Sequence, residues 1–468
     1  MADPPPRLLQ TALVKMLTLL LSTTVAYNNG APNSRLPPLG WSSWVALGPG
    51  AEHPTFDFCD EASVQASIDA FHDVGLYQAG YRHFHLDDCW AGGRNASGYL
   101  YPEPPHFPNG MASVIAYAHK ANLTFGLYTC AGTETCVGGR PGSKDHWTQD
   151  AQVFAEWGVD VVKMDWCHTA GMDPQETYAK MSAAMNATVR TLRGCSSPPP
   201  TPSPLSPRPG SLPPQKLIDS TVLTSPEQGR SMHLNMCEWG VNAPWKWGGQ
   251  IAQSWRMSKD HVGIWASTKA QVRSTALIPD DYTGRPWAWN DMDMLQTGNY
   301  EQAAHANGKE SNMTAAEYRT EFSMWAIAAS PLVVTTPIMN CSSSPGPVVC
   351  KGWLSELQRQ ILLNEEVLAI NQDVTPQGRP IVDGALDVWA RSLSDGSWAV
   401  ALYNEDDAPK AAALDLTKLG LRRAKLRDLW ERADVGTFEG RYPATGTLTL
   451  APHQTVLLRV TPAASADP

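Results

Sequence analysis

Acidic and aromatic residues close a series of short apolar runs in this chain. The run ends are Asp87-Asp88-Cys89-Trp90, Lys163-Met164-Asp165-Trp166-Cys167, Cys237-Glu238-Trp239, Trp255-Arg256 with Asp260, and Trp289-Asn290-Asp291-Met292-Asp293-Met294. Carboxylates accept hydrogen bonds from hydroxyls, and flat indole faces suit the C–H surfaces of sugar rings. Lys163 and Asp165 stand two apart in a strand-like run, so both project to one face. An ammonium beside Asp165 would lower its pKa and keep it ionised, as a nucleophile requires. The plain alternative is a structural Lys–Asp pair. Asp260 offers a second carboxyl that faces Asp165 from another strand. Asp87 and Asp88 alternate in facing, so one of them points into a pocket while the other caps a strand end. Two carboxyl groups in different protonation states, about 5–5.5 Å apart, are what glycoside hydrolysis with retention uses.

Other chemistries lack their residues. No G-x-S-x-G is present, Cys130 has no evident His partner, and Gly92-Gly93 and Gly138-Gly139 read as loop glycines. Tight C-x-x-C or H-x-x-x-H spacing is missing, so neither a metal nor another cofactor is expected. A net charge of −10 disfavours a nucleic-acid partner. No uninterrupted stretch of apolar residues is long enough for a membrane span. The 18 tryptophans mildly favour a carbohydrate ligand.

These side chains need a scaffold. Eight strand-like runs recur: Leu39–Trp44, Tyr81–Asp88, Leu123–Cys130, Val159–Asp165, His233–Trp239, Ser254–Asp260, Trp287–Met294 and Pro331–Thr336. Helical stretches such as Ala62–Ala79 and His146–Trp157 follow several of them. Such alternation predicts an α/β protein, a (β/α)8 TIM barrel, with functional residues at the C-terminal ends of its strands. The interval between Asp165 and Cys237 is lengthened by a Pro-rich insertion, 196–231, too rich in proline for a packed helix or strand. Beyond Ala369-Ile370-Asn371-Gln372-Asp373, alternating runs at Leu386–Ala390, Ser397–Tyr403, Thr447–Leu450 and Thr455–Val460 predict an antiparallel β-sandwich. The expected division is therefore a signal peptide over 1–26, the barrel over 27–371 and the β domain over 372–468.

Arg7 and Lys15, the apolar Met16–Leu21 and the small residues Thr24-Val25-Ala26 read as a secretory signal, a transit peptide being the alternative. Sequons at Asn95, Asn122, Asn186, Asn312 and Asn340 fit that route to the extracellular space, cell wall, lysosome or vacuole. The chain has 9 cysteines, which suggests disulfides and an unpaired thiol. Cys341 and Cys350 bracket a short Ser/Pro/Gly loop and form a plausible local pair.

Collinear motifs, from Leu39-Gly40-Trp41 through Phe125-Gly126-Leu127-Tyr128 and Trp157-Gly158-Val159-Asp160 to the run ends above, resemble glycoside hydrolase family 27. That family contains α-galactosidases and α-N-acetylgalactosaminidases. The resemblance implies a retaining exo-glycosidase acting on terminal α-linked galactose, with Asp165 as nucleophile and Asp260 as acid/base. It implies that Asp87, Asp88 and Lys163 hold galactose hydroxyls and that Trp44 and Met294 supply apolar walls. Tyr128 would line the pocket, Arg256 would support the 2-hydroxyl side, and Cys237, Glu238, Trp239 and Asp293 complete the binding set. Disulfides Cys59–Cys89 and Cys136–Cys167 are implied at the rim, leaving Cys130, Cys195 and Cys237 unassigned. Bulky Glu238 and Trp239 resemble the galactose-specific pattern and disfavour a 2-acetamido group. The alternatives are an α-N-acetylgalactosaminidase, a β-L-arabinopyranosidase or a catalytically inactive galactose-binding protein.

Overall fold

The computed structural model describes residues 26–31, 34–46, 59–193, 231–298, 313–342, 349–382 and 384–464. The signal segment up to Val25, the Pro-rich insertion up to Arg230, Asn312 and Cys195 lie outside the described residues.

Eight strands form one parallel sheet: β1 (Leu39–Ser42), β2 (His83–Leu86), β3 (Thr124–Cys130), β4 (Val161–Asp165), β5 (His233–Cys237), β6 (Ser254–Arg256), β7 (Trp289–Asp291) and β8 (Leu332–Val334). Each pairs with its successor through β7, and β1 also pairs with β8. Leu295 bridges to Val334, and its N–H donates to the Val333 carbonyl at 2.8 Å, which closes the (β/α)8 barrel. Every strand lies inside its expected run but is shorter than it. Asp87, Asp88 and Asp260 therefore sit in loops beyond strand ends rather than on the strands.

Outside the sheet run α1 (Glu61–Asp73), α2 (Met111–Lys120), α3 (Trp147–Trp157), α4 (Pro174–Arg193), α5 (Trp265–Ala276) and α6 (Ala315–Ile327). Asp60 caps α1 by accepting the Ser63 N–H, and Gly158 ends α3 at φ 91°, a left-handed turn that glycine adopts without steric cost. Between β5 and β6 the chain makes two 3-10 turns, Pro244–Lys246 and Gly248–Gln250, in place of a long helix.

The two-residue period of the strands sorts the core. Phe84, Leu86, Phe125, Leu127, Val162, Met164, Leu234 and Met236 face the helices and are buried with them. The alternate positions turn inward and are polar: His83, His85, Lys163, Asp165, Asn235, Ser254 and Arg256. A barrel interior is ordinarily filled by branched apolar side chains. Here His233 instead lies between the hydroxyls of Ser34, at 3.0 Å, and Ser254, at 2.7 Å, and burial pushes its pKa down to about 3. His233 is thus a neutral, hydrogen-bonded group in the barrel interior.

After α7 (Glu356–Leu362) and α8 (Glu365–Asn371), the strands β9 (Arg379–Pro380), β10 (Val388–Ser392), β11 (Trp398–Tyr403), β12 (Arg423–Asp428), β13 (Ala433–Glu439) and β14 (Thr455–Pro462) form an antiparallel sheet ordered β9-β10-β11-β14-β12-β13. Its faces divide by alternation. Val388, Ala390, Val400 and Leu402 pack with Ala412, Leu414 and Leu450 of two smaller sheets, which makes the sandwich. Trp389, Ala399, Ala401 and Tyr403 join the barrel's core instead.

Arg391, 1% exposed, fastens the junction by donating to the carbonyls of Ile370, Asn371, Asp373, Thr375 and Pro376. Arg391→Met removes every one of these donors from a buried spot. Each buried acceptor left unsatisfied costs on the order of 1–3 kcal/mol, so a total loss of at least about 3 kcal/mol is expected. A shift of the urea midpoint reads it.

Candidate active site

At the C-terminal end of the barrel lies a cavity of ≈ 400 Å3 lined by Trp44, Asp87, Tyr128, Lys163, Asp165, Trp239, Arg256, Asp260, Asp293 and Met294. Seven of the eight strands, or the loops after them, contribute residues there, as this fold arranges. Asp165 ends β4 and is flanked in register by Cys130 of β3 and Cys237 of β5. Its Oδ2 accepts the Tyr128 hydroxyl at 3.1 Å and its Oδ1 the Trp166 N–H at 2.9 Å. Both bonds hold the carboxylate's orientation and favour its ionised form.

The Lys163 ammonium does not sit on Asp165 as its main partner. It donates to Asp87 Oδ2 at 2.8 Å, while His85 Nε2 stands 3.3 Å from the same oxygen. Burial alone would raise the Asp87 carboxyl, but Lys163 and His85 outweigh it and hold the group well below the usual carboxylate range. The expectation that Lys163 lowers Asp165 overall is corrected. Burial pushes Asp165 up to about 6, Lys163 opposes this, and the charge of Asp260 adds to it.

Arg256 is nearly inaccessible and links three groups. Its Nη1 lies 2.9 Å from Asp293 Oδ1 and 3.4 Å from Cys237 Sγ, and its Nη2 lies 3.0 Å from Asp260 Oδ1. Asp293 holds this position at φ 80°, in the left-handed region, and Trp239 stands at φ 58°. Non-glycine residues adopt that region at a cost of order 1–3 kcal/mol, a strain that tends to gather at functional sites. Asp260 differs from Asp165 in its surroundings, because its side chain is 61% exposed.

Three of the expected binding residues do not line the cavity. Asp88 is buried and accepts the N–H of Val137, a lining residue, at 3.1 Å. Cys237 is buried, with its Sγ 3.4 Å from Arg256 Nη1. Glu238 is turned into the wall, where its carboxylate accepts the Asn242 N–H at 3.0 Å and the Asn242 side-chain amide at 2.8 Å. The expected narrowing by Glu238-Trp239 therefore falls to Trp239 alone. Both residues lie past the end of β5, and the left-handed turn at Trp239 brings Asn242 back onto the Glu238 carboxylate.

Disulfides join Cys59 to Cys89 and Cys136 to Cys167, and the second contributes both its residues to the cavity wall. Cys350 is disulfide-bonded and Cys341 is its register partner across a hairpin, although the Cys341 side chain lies outside the described residues. An oxygen of Asp165 and the sulfurs of Cys136 and Cys167 lie within 4.8 Å of one another. Both sulfurs are bonded to each other, so they offer no thiolate to a metal. Cys130 and Cys237 are free and buried. Among the described residues, no helix is long and apolar enough to cross a membrane.

Val137, His261, Val262 and Gln296 also line the cavity and were not singled out from sequence. His261 follows Asp260 directly, which was the one local signal available.

Residues 36–204 match the family described as alpha galactosidase A, and residues 383–460 match the alpha galactosidase C-terminal beta sandwich domain. A probable alpha-galactosidase of Dictyostelium discoideum is 31% identical over 464 residues, covering 97% of this chain and 100% of that one. An alpha-galactosidase of Oryza sativa is 30% identical, covering 93% of this chain and 87% of its own length. Among solved structures, a putative alpha-galactosidase/melibiase of Bacteroides fragilis superposes with TM-score 0.73 at 27% identity, over 91% of this chain and 79% of that one. Alpha-galactosidase I of Mortierella vinacea shares the fold with TM-score 0.71 at 24% identity, over 94% of this chain and 100% of its own. With its barrel, its sandwich and its paired strand-end carboxylates, the chain belongs to glycoside hydrolase family 27, among the α-galactosidases.

Proposed function

We propose that this protein is a retaining exo-α-galactosidase in which Asp165 is the nucleophile and Asp260 the acid/base. The carrying observation is that these two carboxyl groups line one cavity in unlike settings, one buried and bonded in place, the other mostly exposed. The bonds from the Tyr128 hydroxyl and the Trp166 N–H fix Asp165 in the cavity and favour its ionised form, while Asp260 is open to solvent.

Asp165 attacks the anomeric carbon; the C1–O bond to the aglycone breaks as Asp260 gives its proton to the departing oxygen. A water then loses its proton to Asp260 and attacks the same carbon, which releases Asp165 and α-galactose with retained configuration. The Asp87–Lys163 pair holds the 4- and 6-hydroxyl edge. Arg256, kept in place by Asp293, supports the 2-hydroxyl side, while Trp44, Trp239 and Met294 close on the ring. A cavity of this volume suits a terminal sugar rather than the interior of a polymer. Trp239 lines the cavity, and its bulk there is read as disfavouring a 2-acetamido group, which favours galactose over its N-acetyl derivative. The substrate class is an α-galactoside, and the expected route of the protein is secretory. We place the division between catalytic and sandwich domains after α8.

Proton NMR during hydrolysis of 4-nitrophenyl α-galactoside tests the reading. α-Galactose is expected as the first product, with the β-anomer appearing only by mutarotation. β-Galactose first, or faster turnover of the N-acetylgalactosaminide or β-L-arabinopyranoside in a glycoside panel, overturns it.

A further inference from the structure

We propose that Glu321 and His261 form a buried pair that positions Asp260; this inference rests on the proton-donor role just assigned to that residue. Asp260 lies beyond the end of β6, in a loop, so the strand itself does not fix it. Its recorded side-chain bond is to Arg256, and its side chain is largely exposed. The next residue is held from every side. The His261 N–H donates to Asp293 Oδ2 at 2.6 Å, its Nδ1 lies 3.0 Å from Ser267 Oγ, and its ring packs 5.0 Å from that of Trp325.

His261 Nε2 lies 2.8 Å from Glu321 Oε1, and both side chains are fully buried. Glu321 belongs to α6, a helix that is buried at most of its positions, and it reaches two further donors. Its Oε1 accepts the Gln296 N–H and its Oε2 the Thr297 hydroxyl, each at 2.8 Å. Among the described residues, the one ion pair recorded for Glu321 is to His261. A buried carboxylate is costly unless its lone pairs are met by donors, and here they are. Gln296 itself lines the cavity.

The carboxylate therefore joins two segments of the cavity wall, the loop after β6 and the turn after β7. Asp293 then carries the constraint onward. One of its oxygens takes the His261 N–H and the other meets Arg256, which holds Asp260. Asp260 is gripped through its following residue and through its own side chain by one connected network. Proton transfer depends steeply on placement, and an error near 1 Å costs on the order of 100-fold. Glu321 and His261 are positioning residues, because each acts through Asp260 rather than on the reacting atoms.

The test compares two leaving groups. Melibiose needs a proton on its departing oxygen, whereas 2,4-dinitrophenyl α-galactoside leaves without one. Glu321→Gln keeps the size of the side chain but removes its charge. It is expected to lower kcat/KM for melibiose roughly tenfold, chiefly in kcat, and for the dinitrophenyl substrate less than about twofold. His261→Gln, which keeps the N–H to Asp293, is expected to move the same ratio in the same direction and serves if Glu321→Gln does not fold. An equal fall on both substrates, or no fall on either, overturns the proposal. Asp260→Ala is the control. If it shows no leaving-group dependence, the proton-donor role itself fails. If it does and the Glu321 and His261 variants do not, only the positioning pair fails.

Discussion

Asp165→Ala is expected to lose at least about 10⁴-fold in kcat/KM on every α-galactoside, whatever the leaving group. The substitution removes the atom that forms the bond to C1, and no nearby group replaces it. Cys130 and Cys237 flank it in register, but burial pushes the Cys130 thiol up to about 12 and the Cys237 thiol well above its usual value. Neither offers a thiolate near neutral pH. The barrel should survive, because the lost bonds are those from Tyr128 and Trp166, whose elements are packed independently. Azide should restore turnover by attacking C1 from the face the carboxylate held. The C1–N bond forms as the C1–O bond breaks, and Asp260 protonates the leaving oxygen, giving β-galactosyl azide. Wild-type-like hydrolysis without azide, or an α-configured azide product, would sink the assignment.

Asp260→Ala should separate substrates instead of silencing all of them. Melibiose hydrolysis is expected to fall about 10²–10⁴-fold, the usual worth of a positioned acid, while formation of the glycosyl-enzyme from the dinitrophenyl substrate continues. Azide then attacks that intermediate and yields α-galactosyl azide, opposite in configuration to the Asp165 case. The pH profile adds a second readout. Burial pushes Asp165 up to about 6 and the Asp260 charge adds to the shift. A protonated Asp165 cannot attack, so kcat/KM on the activated substrate should fall as pH drops through that region. Removing the Asp260 charge takes away one of the raising influences, so this acid limb should move to lower pH in the variant. A limb that stays or moves upward contradicts the coupling.

Much of this site was legible because strands alternate strictly. Lys163 and Asp165 share a face for the reason that Val162 and Met164 share the opposite one, and the eight apolar runs gave the barrel its order. What was not legible depends on closure. Lys163 pairs with Asp87 from β2's end, a contact between residues far apart in sequence that no local spacing reports. Glu238 was misassigned because its neighbour Trp239 takes the cavity and the chain then turns, leaving the carboxylate to Asn242. Asp260 lies past the end of its strand, where alternation no longer predicts direction. The network of Glu321, His261 and Thr297 joins an α6 residue to two loops, so periodicity within any one element is silent about it.

The two free cysteines beside Asp165 carry a consequence for how such a chain matures. Each is buried in the finished barrel with its thiol pushed up by burial, and disulfide exchange proceeds only through a thiolate that can be reached. Once β3, β4 and β5 have paired, both sulfurs are withdrawn from oxidant and from the neighbouring Cys136–Cys167 bridge alike. In the folded barrel the Cys136–Cys167 bridge is therefore protected from exchange with either of these thiols.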